Sequence, residues 1–511
     1  MDGLFQFRMN SGLSAAAAAS RRTNTISSRV RADGSAAGAC SWGMAALFIG
    51  TLVLPGVAVA QSAASSSAPL AVPGSPGAPV PTGDQGLTFH GITLYGIIDI
   101  GLQYDEHAAP ISDYSLAGVN DLIQKNSNHS IAGVTPSNMS QSRIGLQGAE
   151  ALVGDWSGVF KLETWFNPES GELGDGLRSL ALNNGRALSA QKTGLDVSAA
   201  GELFGGAAYM GVSSPTYGTL TFGRHTGILA DGIAKYDPLM VSTAFSYLGF
   251  AGGPAGAGYT QDRRLDSSVK YTATLSGLHV GAQYKFNTSS GNASSALELQ
   301  LGGEFAGVSV DGFYAKIKDA VSAASLSATQ VTGLTALGFS PSNSLAATVS
   351  DNQAVGIMGQ YVFGTGAPAV YLGYENIRFA NPSTQLTAGY DDIGGYVLAY
   401  ISNTAYGKEK IQQIYWTGVR YPVTPQFDVL AAYYGIKQNS YATGTTAGCS
   451  SIVSAACSGT ENVVSLVTDY RLSRRFDVYA GIAWSKVADG IASGYLYTSN
   501  INPTIGLRFK F

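Results

Sequence analysis

Residues 92–104 read Ile-Thr-Leu-Tyr-Gly-Ile-Ile-Asp-Ile-Gly-Leu-Gln-Tyr. The even positions are apolar apart from Gly96, and the odd ones include Thr93, Asp99, Gly101 and Gln103. A period of two sends the two sets to opposite faces of an extended strand. Strands of soluble sandwiches rarely alternate for thirteen residues, which slightly exceeds the roughly 9–11 that a tilted membrane strand requires. Beyond residue 60 no apolar run approaches the roughly 20 residues of a membrane helix. If this chain enters a membrane, it must cross with strands closed on themselves, so that no backbone group is left unpaired.

Composition agrees with such a sheet. Charged residues make up only 13% of the 511, while Gly reaches 65 and Tyr 27. Soluble globular chains carry nearly twice that charge, whereas a sheet that meets lipid on one face does not need it. The net charge is −4, and removing the first sixty residues takes away five arginines and two aspartates to leave −7. Nucleic-acid binding, which wants a basic face, is disfavoured.

The chain begins with the pattern of an export signal over residues 1–60. Arg21, Arg22, Arg29 and Arg31 precede an apolar stretch at 45–54, and Ala58-Val59-Ala60 fits cleavage before Gln61. Cys40 would leave with it. Residues 61–88, rich in Ser, Ala and Pro, read as a disordered lead-in, and residues 89–511 as one barrel.

Short alternating runs then follow to the end. Residues 214–218, 275–277, 364–366 and 421–425 are tight turns by residue type. Long Ser/Ala/Gly-rich links lie near 167–204, 226–263, 319–352, 380–409 and 438–461. Short turns at one end and long loops at the other mark an all-β, transmembrane, antiparallel up-and-down barrel of about sixteen strands. The runs at 308–318 and 370–379 do not alternate cleanly, and their register stays open. At the C-terminus Ile505, Leu507, Phe509 and Phe511 share one face, with Thr504, Arg508 and Lys510 on the other. That strand has to pair with the first, because an unpaired edge in a bilayer is costly.

Five pieces carry a resemblance: Leu94-Tyr95-Gly96-Ile97-Ile98-Asp99, Ser142-Arg143-Ile144-Gly145-Leu146-Gln147-Gly148, Tyr217-Gly218-Thr219-Leu220-Thr221-Phe222-Gly223-Arg224, Arg264-Leu265-Asp266-Ser267-Ser268-Val269-Lys270-Tyr271 and the terminal Phe511. In this order and spacing the sequence resembles the general trimeric porins of Gram-negative bacteria. The resemblance implies a homotrimer in the cell outer membrane, surrounded by its lipid. Each barrel would have sixteen strands and a third extracellular loop folded inward, here 226–263. Carried over by position, Arg143, Arg224 and Arg264 form the basic side of a pore constriction, and parity adds Lys161. Asp231 and Asp237 on the loop are the acidic side. Parity also turns Glu163, Asp266 and Lys270 toward the lumen. Strict alternation would group Arg224 with the lipid-facing Leu220 and Phe222. An Arg at mid-bilayer costs roughly 2–4 kcal/mol, so a bulge is expected at Gly223.

The implied function is passive diffusion of small hydrophilic solutes and ions, without cofactor or turnover. A solute-specific channel would instead need a lumenal aromatic track or a ladder of one charge sign. A barrel serving mainly as an adhesin or structural surface protein would not conduct at all. His225 stands beside Arg224 and six residues before Asp231, but no motif fixes a nucleophile for an outer-membrane hydrolase. No His/Cys/Asp cluster has metal-ligand spacing, and the Gly-x-Gly pieces do not open helices. Cys449 and Cys457, the cysteines left after export, are expected to form a disulfide that stiffens an exposed loop.

Overall fold

The computed structural model describes residues 87–107, 130–173, 184–186, 203–249, 264–287, 295–389, 391–393, 396–449, 454–493 and 496–511. The export signal and all but the last two residues of the lead-in lie outside the described residues.

Sixteen strands, from Ile92–Asp105 to Ser499–Lys510, pair antiparallel with their chain neighbours, and the first also pairs with the last. Across the closure Ile97 faces Lys510 and Gln103 faces Thr504. The terminal Phe511 extends it, exchanging backbone hydrogen bonds of 2.9 and 3.1 Å with Gly96. The ring itself has no edge strand, which is what hydrocarbon demands of a sheet. Four further short strands lie outside the ring of sixteen: Thr88–Phe89, Ile131–Pro136, Asp391–Ile393 and Tyr396–Ser402. Seven links at one end of the barrel have two to six residues, while the eight at the other have nine or more.

Side chains follow the pleat. Along the first strand Leu94, Ile98 and Leu102 are exposed, while Asp99, Gln103 and Asp105 turn inward and are buried. Leu297, Leu299 and Leu301 point out, with Ala296 and Glu298 inside. So many exposed large apolar side chains in strict alternation form the lipid-facing surface of a barrel.

The structure also settles the two registers that the sequence leaves open. Phe313, Ala315 and Ile317 of Val308–Ser325 point inward, as do Tyr371, Ile377 and Phe379 of Ala369–Ala380. Alternation fails there because the inner face is apolar too. The long loop expected near 319–352 is strand at both ends and helix between them. Val308–Ser325 and Ser344–Val362 continue as a hairpin of 18 and 19 residues, closed by the helix Ala328–Ala336. Runs of Ala, Ser and Thr offer no polarity contrast by which to read strand. Asn184 fastens this hairpin, donating through Nδ2 to the carbonyls of Pro341 and Ser344 and accepting from Leu326 N. The turn expected at 421–425 also moves. Lys410–Thr424 runs through Tyr421 and Pro422 with a register break before Thr424, so only 425–426 turn.

Deleting Phe511 removes two closing hydrogen bonds, each worth about 1 kcal/mol net. The temperature at which the folded band converts to the unfolded band in heat-modifiability gels should fall. An unchanged midpoint would mean that closure does not depend on the last residue.

Candidate functional site: a lumen divided by the third long loop

After Gly218–Thr226 the chain turns into the barrel. The helix Ile228–Tyr236 and the turns that follow, described to residue 249, run through the lumen. Ile228, Leu229, Ile233, Tyr236, Leu239, Phe245, Tyr247 and Leu248 are all buried. They pack against the inward-facing Phe313, Ile377, Ile414, Trp416, Tyr434 and Val463 of the wall. Burying each such side chain contributes about 1.5–3 kcal/mol before ordering costs. Eight together hold the loop as a fixed partition. Polar contacts set its height. Trp416 Nε1 donates to Tyr236 O at 3.0 Å, Ser465 Oγ to Phe245 O at 2.6 Å and Asn502 Nδ2 to Ala244 O at 3.0 Å. Glu298 accepts from Leu229 N at 2.9 Å, at the positive end of the helix dipole. At Gly232 an added Cβ would lie 2.2 Å from the Phe313 ring, so no other residue fits that crossing without movement.

The opposite side of the loop faces water. A cavity of about 540 Å³ lies between the helix and the strands Arg143–Ala151, Ser157–Trp165, Ala207–Ser214, Gly218–Thr226 and Arg264–Leu275. Lys161, Glu163, Tyr209, Asp231, Arg264 and Lys270 are among its lining residues. A second cavity of about 620 Å³ shares Ala149, Val159, Ser213, Thr219 and Thr272 with the first and continues past Lys235, His279 and Gln300. Together they trace a corridor along one wall.

Charge is concentrated beside it. Glu163 Oε2 stands 3.4 Å from Lys161 Nζ and 3.6 Å from Arg143 Nε, and accepts from Tyr95 OH at 2.9 Å. Its Oε1 accepts from Trp165 Nε1 at 3.1 Å. The Arg264 guanidinium lies 4.4 Å from the centre of the Trp165 ring, and its Nε donates to Gly206 O at 2.6 Å. Asp231, in the first turn of the loop helix, pairs with Lys270 across the gap. Lys270 Nζ also donates to Thr226 O at 2.8 Å.

Arg224 reaches the lumen by the bulge expected for it. The register slips between Gly223 and His225, with Gly223 at φ 137°. Phe222 therefore stays 51% exposed on the outside while Arg224 is 9% exposed within. Arg224 pairs with Asp266, and its Nε donates to Gly205 O at 3.1 Å.

Of the residues assigned to the constriction, Lys161, Arg264 and Asp231 line the corridor, Arg143 stands behind Glu163, and Arg224 lies alongside with Asp266. Asp237 is elsewhere. Six residues beyond Asp231, it is about 240° further round a helix axis, on the sealed side. There it accepts from Val241 N at 2.6 Å, Leu239 N at 3.2 Å and Tyr434 OH. Burial pushes its carboxyl above the usual aspartate range. It ties the loop to the far wall and does not face the aqueous gap. Sequence reasoning missed the partners of the loop, Trp416, Tyr434 and Glu298, although the doubly apolar runs at 308–318 and 370–379 mark the wall that something must cover. His225, which the sequence singles out without a nucleophile to serve, lines the first cavity, with Nδ1 2.8 Å from Ser268 Oγ and its ring stacked on Tyr209. Cys449 and Cys457 are bonded to each other and buried against Ala442 and Ala456, while residues 443–448 of the same loop are exposed. Among the described residues no group of three His, Cys, Asp or Glu side chains is placed to hold a metal.

A Gram-negative porin family profile matches residues 43–400. An outer membrane porin protein of Bordetella pertussis is 28% identical over 441 residues, covering 82% of this chain and 94% of that protein. Among solved structures, the anion-selective porin from Comamonas acidovorans superposes with a TM-score of 0.51 at 16% identity, covering 82% of this chain and 99% of that one. A loop-deletion form of OmpT, an outer membrane protein of Vibrio cholerae, gives 0.50 at 15% identity, covering 82% and 99%. Both structural likenesses concern the fold.

In planar bilayers under a salt gradient, Asp231→Asn should move the reversal potential toward anions, because it leaves Lys270 uncompensated. Asp237→Asn should leave that potential in place and lower the heat resistance of the folded band. Equal shifts from the two variants would put Asp237 back in the gap.

Proposed function

The chain belongs to the Gram-negative porin family and is an outer-membrane porin channel; from that premise we propose that the corridor between the loop helix and the Lys161–Glu163–Arg264–Lys270 wall is its constriction. Small hydrophilic solutes and ions diffuse through it passively, without turnover. One observation carries this reading: the loop is glued to one half of the wall by apolar side chains and opposes fixed charges on the other. Opposed charges across a narrow gap orient water and disfavour apolar solutes. Three copies assemble as a homotrimer, and residues 1–60 direct export before removal ahead of Gln61.

The charge count beside the corridor favours anions. Asp231 offsets Lys270, and Asp266 offsets Arg224. Glu163 alone serves Arg143 and Lys161, and Arg264 stands over Trp165 nearby. The solved Comamonas relative bears the name of an anion-selective porin, which agrees. Tyr236, Tyr434 and Tyr479 lie within the packing of the loop, and Phe160 and Tyr209 are the aromatic residues lining the corridor; two rings are too few for a track, which favours a general pore over a solute-specific one.

Purified protein in planar bilayers should give conductance steps in groups of three, with a weak anion preference. That preference should strengthen as salt falls below 0.1 M, where the screening length exceeds about 10 Å. Saturation of the current by a single solute would point to a specific channel, and a folded barrel without conductance to a surface protein of another kind.

A further inference from the structure

The seam that closes the barrel hides a carboxylate whose charge no neighbour offsets. Ile92–Asp105 turns Asp99, Gln103 and Asp105 inward, and all three are buried. Asp99 is well supplied with donors: Met139 N at 3.0 Å, Ser140 N at 2.7 Å and Tyr479 OH. Asp105, equally buried, receives one neutral donor, Asn500 Nδ2 at 2.8 Å on Oδ1. That amide is fixed in this sense, because its own Oδ1 accepts from His107 N at 3.0 Å. Among the described residues no Lys or Arg pairs with Asp105, and its Oδ2 has no partner. A lone charge at such depth is costly.

Polar atoms without partners among the described residues gather beside it. Gln103 lies two residues back on the same face, 3% exposed, with neither Oε1 nor Nε2 engaged. Thr504, directly across from Gln103 on the last strand and 4% exposed, has an unpartnered Oγ1. Residues so opposed hold their Cβ atoms about 4.5–5.5 Å apart. On its other side Gln103 faces Gly133, which brings no side chain to the inner face and leaves room there. The inward loop is fastened beside the group. Asn502 Nδ2 donates to Ala244 O and Ala244 N to Asn138 O, both at 3.0 Å.

A carboxylate, an amide oxygen and a hydroxyl on one face are the donor set of a hard cation. The group offers no sulfur, and the nearby His107 Nδ1 is engaged with Ser499 O at 2.7 Å, so softer metals do not suit it. One carboxylate balances one positive charge, whereas a divalent ion would leave a surplus charge buried. We propose that Asp105 Oδ2, Gln103 Oε1 and Thr504 Oγ1 hold a monovalent alkali cation, with water completing its shell. The ion joins the first strand to the last, where the barrel closes. The site is separate from the corridor, whose lining includes none of these three residues.

The test follows thermal unfolding of the purified protein by circular dichroism, in a non-ionic detergent and a mildly alkaline buffer. Sodium and potassium chlorides are each compared with N-methylglucamine chloride at equal concentration, which matches the screening and changes only the cation. An ion held by the folded state alone raises the folded-to-unfolded ratio about elevenfold at ten times its Kd. The wild-type midpoint should therefore be higher by about 2–4 °C in the better alkali salt. Asp105→Asn keeps the shape and removes the charge, and its midpoint should be the same in all three salts. Thr504→Val, which removes one neutral oxygen, should raise the half-maximal alkali concentration several-fold with conductance unchanged. If Asp105→Asn does not fold, Thr504→Val alone decides. Equal wild-type midpoints in the three salts would mean that Asp105 is buried as the neutral acid, and would overturn the proposal. So would an undiminished salt difference in Asp105→Asn, or an unaltered alkali dependence in Thr504→Val.

Discussion

The packing of one loop against the inner wall of its own barrel determines the rest of this structure. A closed ring of sixteen strands encloses more space than its own inward side chains fill. Here the surplus is taken up by Ile228 to Leu248, whose apolar residues meet a wall made apolar to receive them: Phe313, Ile377, Ile414, Trp416 and Val463. Neither surface is stable in water alone. The lumen thus acquires a partial hydrophobic core, and the water that remains is confined to the opposite wall.

That division of labour explains where the charges lie. On the strands from Arg143 to Lys285 the inner face keeps the residues that polarise a channel, each held by a neighbour: Glu163 between Arg143 and Lys161, Arg264 over Trp165, and Lys270 against Asp231. Asp231 and Asp237 belong to one loop but serve its two sides. One meets the aqueous gap, and the other is sacrificed to fastening. The hydrogen bonds from Trp416, Ser465 and Asn502 to loop carbonyls hold the loop at its height in the barrel.

Much of the barrel was legible because lipid enforces a period of two wherever the inner face is wet. Residues 92–104, 278–286 and 504–511 show it plainly, and the bulge at Gly223 was recoverable from the cost of an arginine in lipid. Legibility ends where the inner face is dry. At 308–318 and 370–379 both faces are apolar, so parity vanishes although the strand does not. It ends again at 320–350, where Ala, Ser and Thr carry a strand beyond the membrane with no solvent contrast to record it. The role of Asp237 was hidden for another reason: its partner Tyr434 lies nearly two hundred residues away. Spacing along a loop does not reveal which face of it is glued down.

The central claim is that the loop seals one half of the lumen and leaves the other open. Thiol modification of single cysteines during current recording tests it directly, using Val159→Cys on the corridor and Val463→Cys beneath the loop. A charged thiol reagent should block the current through Val159→Cys, and Val463→Cys should remain unreactive in the folded channel. Rapid block through Val463→Cys with none through Val159→Cys would show that water runs on the other side of the loop.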